Sequence, residues 1–187
     1  MKRLAWLILT VFVAAGVFVA WSPERSRSAK VTSPPSAPLP VATGVLMIPV
    51  VGVTADGLVD TWLQSRGDGA RVHQAIDISA PLGTPVVAAM AGRIEKLFHS
   101  NAGGTTAYIR SADERWLTYY AHLSGYVAGL AEGQAIALGQ QIGFVGDSGN
   151  AGAGNTHLHF ALHRMAPGET WYRGTPVNPY PHLAGTP

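Results

Sequence analysis

Residues 157–163 read HLHFALH, and their alternation decides the fold class. In an extended strand successive side chains point to opposite faces. Leu158, Phe160 and Leu162 therefore share a face that must be packed, and His157, His159, Ala161 and His163 share the other. The stretch 116–122, WLTYYAH, reads the same way, with Trp116, Thr118, Tyr120 and His122 on one face and Leu117, Tyr119 and Ala121 on the other. Outward from these two, short apolar stretches alternate with Gly, Asn, Asp and Pro turns from Val45 onward, which predicts an all-β fold, a small antiparallel sandwich or barrel. The predicted strands are 46–53, 74–78, 84–89, 92–99, 105–110, 117–122, 135–138, 141–145 and 157–163. No segment keeps a helical period beyond two turns, and a short helix fits only at 61–65 or 124–131.

The strand reading sets rows of imidazoles on a polar face above a packed sheet, a rigid platform for metal ligands. Three short motifs supply donors: HQAID at 73–77, YAHL at 120–123 and HLH at 157–159. His73 and Asp77 are four apart, and His157 and His159 two apart, so each pair shares a face. Together with His122 these residues can build and work a zinc site. Two imidazoles and one carboxylate, with a water at the fourth position, are the usual ligands of a catalytic rather than a structural zinc. Asp77 lies between Ile76 and Ile78, and a carboxylate drawn into a core strand needs a cation as partner. Alone, each motif has a plainer reading: a surface His–Asp contact, a satisfied core histidine, two solvated histidines on an edge strand. All three would have to hold for the site to be absent. His163 is expected beside the ligands rather than among them, and His99 and His182 have no motif around them.

The chain of 187 residues, 47% hydrophobic, suits one domain plus extensions. It has no cysteine, which excludes disulfides, thiolate metal sites and a lipoprotein anchor. The net charge of +2 is misleading. Five basic residues face one acidic residue within the first thirty, leaving 8 basic against 10 acidic in the remainder. A domain of net −2 lacks the basic face that nucleic-acid binding requires. The glycine-rich stretch 143–154 lacks the pattern of a phosphate-binding loop, and reads as a flexible wall beside the HLH strand.

After Lys2 and Arg3, residues 4–21 are apolar and uncharged. A run of that length is at the lower limit for a membrane span. Phe18 would occupy a cleavage position that wants a small residue, which favours an uncleaved signal-anchor at 1–21 over a cleaved signal peptide. Residues 22–44, with Pro23, Pro34, Pro35, Pro38 and Pro40, read as a semi-extended linker. The domain at 45–187 is then expected outside the cytoplasm, in the periplasm or cell envelope, and secreted if the leader is removed.

Taken together, RVHQAIDIS, GTPV, YYAHLS and IGFVGDSGN…THLHFAL resemble the lysostaphin-type, or LytM-domain, zinc metalloendopeptidases of peptidoglycan. The resemblance runs from about Val45 to Pro181. It implies a small antiparallel β fold of the duplicated-hybrid-motif kind and one Zn²⁺ per chain, held by His73, Asp77 and His159. It implies that His122 and His157 lie close to the metal without being its primary ligands, free for proton transfer and oxyanion stabilisation. The implied substrate is a peptidoglycan stem or cross-bridge peptide. Ala75 stands where the family often has glycine, and Asn155–Thr156 precede HLH where a Gly/Pro-type pair is common; neither removes a donor. Two other functions fit parts of the pattern. A non-enzymatic domain of this type would activate a cell-wall amidase, but such domains usually lack a ligand. A sugar-uptake phosphocarrier shares the fold but works in the cytoplasm, against the apolar N-terminus.

Overall fold

The computed structural model describes residues 46–67 and 69–185. The apolar leader at 1–21 and the linker at 22–44 lie outside the described residues. Eleven strands follow in order: β1 (Ser65–Arg66), β2 (Arg71–Val72), β3 (Ile76–Ser79), β4 (Pro85–Val87), β5 (Gly92–Ser100), β6 (Gly104–Ser111), β7 (Trp116–Tyr126), β8 (Ala135–Ile136), β9 (Gln141–Val145), β10 (His157–Arg164) and β11 (Thr175–Val177). A 3₁₀ turn at Ala55–Gly57 precedes them and a short helix, α1 (Tyr180–Ala184), follows. Every strand pairing is antiparallel, as the alternating pattern predicted.

The nine-stranded sheet runs β11-β10-β7-β6-β5-β8, with β3 on β10 and with β9 joining β4 to β7. The HLH strand is therefore not an edge. β10 pairs with β3 on one side and β7 on the other, and His159 stands opposite Asp77 in one pairing and opposite Ala121 in the other. Below it, Leu158 and Phe160 are fully buried among Ile76, Ile78, Tyr120 and Leu123. The Phe160 and Tyr120 rings meet edge to face at 5.3 Å. Burying such rings contributes a few kcal/mol each, so the histidines stand on a packed floor.

The alternation fails at His122. That residue takes φ +61°, a left-handed conformation uncommon outside glycine, and the pairing of β7 shifts register around it. The flip moves His122 off the face of buried Tyr120 and into the cavity lined by Tyr119 and Ala121. The expectation that His122 faces away from Tyr119 and Ala121 is thus corrected by a bulge.

Other differences have local causes. Segment 46–53 makes only an isolated bridge, Val50 to Val86. Pro49 has no N–H to donate, and Gly52 at φ +84° turns the chain away. Residues 124–126 complete β7 instead of starting a helix, and 61–65 form a turn leading into β1. The β1–β2 hairpin was not anticipated because its two-residue strands are mostly polar and exposed, leaving no apolar period to read.

Candidate metal centre

His73, Asp77 and His159 bring one donor atom each to a common point. His73 Nε2, Asp77 Oδ1 and His159 Nδ1 form a triangle with every edge 3.1 Å. A tetrahedral zinc with bonds of about 2.0–2.1 Å separates neighbouring ligand atoms by about 3.3 Å, so these donors fit such an ion almost without adjustment. It is the one such grouping of histidine, cysteine or carboxylate side chains among the described residues. The cross-strand register of Asp77 and His159 fixes two corners. The third comes from His73, in the segment between β2 and β3, whose backbone is tied to 63–64 by Leu63 N–H to His73 O and His73 N–H to Gln64 O.

Outer contacts decide which nitrogen of each ring carries a lone pair. His73 Nδ1 lies 2.8 Å from the Thr61 carbonyl, which can only accept, and 3.2 Å from Arg66 Nη2, which can only donate; the shorter contact puts the proton on Nδ1 and leaves Nε2 free. His122 Nδ1 donates to the Ser148 carbonyl and His157 Nδ1 to the Asn155 carbonyl, both at 2.8 Å. Neutral His122 and His157 each keep an unprotonated Nε2. That of His157 lies 3.7 Å from Asp77 Oδ1, beside the triangle. The His122 ring centre is 4.9 Å from that of His157 and 5.6 Å from that of His159.

Asp77 is held from outside as well. Its Oδ2 accepts from Arg66 Nη2, and its backbone N–H donates to Thr61 Oγ1 at 3.0 Å. Burial opposes its ionisation, but the adjoining His159 and His73 imidazoles outweigh that and hold the carboxyl well below the usual range. Burial pushes His122 and His159 below the ordinary imidazole value, against a backbone hydrogen bond at His122 and the Asp77 carboxylate at His159. Both rings therefore favour the neutral form, which a metal ligand or a proton acceptor needs.

All five residues singled out in the sequence line one cavity of about 320 Å³. His163 lines an adjoining one, and His99 and His182 line neither. The sequence did not reveal Thr61, Ser148, Arg66 or Tyr119. Thr61 and Ser148 act through carbonyls or a lone hydroxyl, which no motif marks. Tyr119, its phenol kept protonated by burial and by Tyr108, meets the His159 ring edge-on at 5.9 Å.

The geometry agrees with the chain's relatives. Residues 71–179 match peptidase family M23. The Bacillus subtilis L-Ala–D-Glu endopeptidase is 36% identical over 129 residues, covering 66% of this chain and 38% of its own length. The DD-carboxypeptidase/endopeptidase Mpg of Neisseria meningitidis is 38% identical over 117 residues, covering 63% of this chain and 24% of its own. The match thus spans well under half of either relative. Among solved structures, the catalytic domain of lysostaphin from Staphylococcus simulans superposes with a TM-score of 0.56 at 26% identity, covering 68% of this chain and 92% of that one. A variant catalytic domain of the prophage-encoded M23 protein EnpA from Enterococcus faecalis gives 0.53 at 29% identity, covering 65% and 87%. Sequence, strand topology and the histidine–aspartate cluster converge, and the chain belongs to peptidase family M23.

Proposed function

We propose that the chain is a zinc endopeptidase of bacterial peptidoglycan, cutting its stem or cross-link peptides outside the cytoplasm. The observation that carries this reading is the 3.1 Å triangle of His73, Asp77 and His159, whose atom types and spacing suit a zinc ion. Zinc held there supplies Lewis acidity, which activates water at neutral pH and polarises a peptide carbonyl.

The chain's own residues do the rest. No glutamate lines the cavity, so proton transfer falls to the imidazoles. Neutral Nε2 of His122 or His157 accepts a proton, and the same nitrogen, once protonated, donates to the developing oxyanion or the leaving amine. The Ser148 and Asn155 carbonyls hold both rings in that tautomer. The full set of five side chains argues against the non-enzymatic alternative, an amidase-activating domain. We assign residues 1–21 to a membrane anchor, 22–44 to a spacer and 45–187 to the peptidase domain.

The test is digestion of purified sacculi with the zinc-loaded full chain, with the new termini identified by mass spectrometry. New peptide termini are expected, and their absence would contradict the reading. His122→Ala and His157→Ala should keep zinc and each lose at least about 100-fold in turnover.

A further inference from the structure

The hairpin that the sequence left unread carries an unexplained feature. Arg66 on β1 and Arg71 on β2 are direct cross-strand partners, an arrangement that like-charge repulsion disfavours. The Arg66 charge is answered by Asp77. Arg71 has no acidic partner among the described residues. Both arginines line a second cavity of about 260 Å³ next to the donor triangle, reached along the outer face of β10 past His159 to His163. Among the described residues no carboxylate lines it. Its other polar walls are Gln74, the Tyr119 phenol and the imidazoles of His73, His159 and His163.

We propose that Arg71, backed by Arg66, binds a free carboxylate of the peptide substrate in this second cavity. The inference rests on the endopeptidase reading and names what that site selects. A guanidinium offers two parallel N–H donors that match a carboxylate. Arg66, held by Asp77, keeps a second guanidinium on the neighbouring strand. A divalent ion on the triad would add to the positive field in the groove and draw anionic peptide toward it. Stem peptides carry several carboxylates close to their peptide bonds, and amidation removes the charge of each without changing its shape.

The experiment uses the zinc-loaded full chain carrying His157→Ala to suppress turnover. Binding of a synthetic stem peptide is compared with that of versions in which each carboxylate in turn is a carboxamide. One amidation should weaken binding about tenfold. Arg71→Gln should lower affinity for the acid peptide by a similar factor and abolish the discrimination, and Arg71→Lys should restore it in part. The proposal is overturned if no amidation matters, if Arg71→Gln still discriminates, or if none of the peptides binds. Cleavage by the chain with His157 intact separates this from the parent reading. Carboxylate-selective binding without cleavage of peptide or sacculi sinks the endopeptidase assignment alone. Cleavage without carboxylate selectivity sinks the arginine subsite alone.

Discussion

Replacing Thr61 with valine removes one hydroxyl while keeping the shape of the side chain. That hydroxyl accepts the backbone N–H of Asp77 at 3.0 Å, on the side of β3 turned away from β10. The Thr61 carbonyl, which fixes the His73 tautomer, belongs to the backbone and survives the change. The substitution therefore isolates a single contact to one proposed ligand. A buried donor left unpaired costs about 1–3 kcal/mol. The contact is only part-buried, so water can partly replace the hydroxyl and the lower part of that range applies, about 1–1.5 kcal/mol. For a domain of this size the melting temperature should fall by about 3–6 °C. Freed from one restraint, Asp77 should hold zinc about tenfold more weakly, the lower end for loss of an outer contact. Competition with a chromophoric chelator and thermal melts of the metal-free chain measure the two effects. Thr61→Ser, which keeps the oxygen, should resemble the parent in both. If Thr61→Val binds zinc within twofold of the parent and melts at the same temperature, the hydroxyl does not position Asp77.

Further outcomes follow from the glycine-rich wall and from the half-buried histidine beyond the triad. Gly149 has φ +70°, and a Cβ there would collide with the backbone nitrogen of Gly104. Gly149→Ala should cost more than about 1–2 kcal/mol in urea titrations, and should slow peptide hydrolysis because the adjacent Ser148 carbonyl holds His122. His163 is pushed below the ordinary imidazole value by burial, then by His159, and its Nδ1 is buried without a hydrogen-bond partner. The folded chain therefore resists its protonation. The stability this contributes is complete above the unfolded-state pKa of about 6.5 and is lost as pH falls below it. The stability advantage of the parent over His163→Gln should shrink between pH 7.5 and pH 5.5; a constant difference would contradict the assignment. Phe160→Ala, which empties the floor under His159, should cost about 3–5 kcal/mol, read from urea titration.

What the sequence made legible follows the reach of its physical signals. Where one strand face is packed, alternation located the element well: 141–145 coincides with β9, and 157–163 lies within β10. The five residues gathered in the cavity were visible because their spacing and type repeat a donor pattern. Legibility ended where no apolar period exists. Ser65–Arg66 and Arg71–Val72 carry the two arginines of the groove on a solvated hairpin. β11 contains Pro176 and lies at the sheet edge, where composition argues against a strand although geometry allows one. The face of His122 could not be read at all. A single left-handed residue inverts the alternation, and a histidine, unlike a glycine, does not advertise that conformation. The contacts of Thr61 and Ser148 to the histidines run through backbone carbonyls, to which side-chain identity is blind.

Zinc stoichiometry tests the central claim most directly. The full chain, its His159→Ala variant and its His122→Ala variant are each equilibrated with zinc, dialysed against a weak chelator and assayed for bound metal. One equivalent should remain on the parent and on His122→Ala, and it should be lost from His159→Ala. A parent that keeps no zinc, or a His159→Ala variant that keeps a full equivalent, would contradict the assignment of His73, Asp77 and His159 as the ligands.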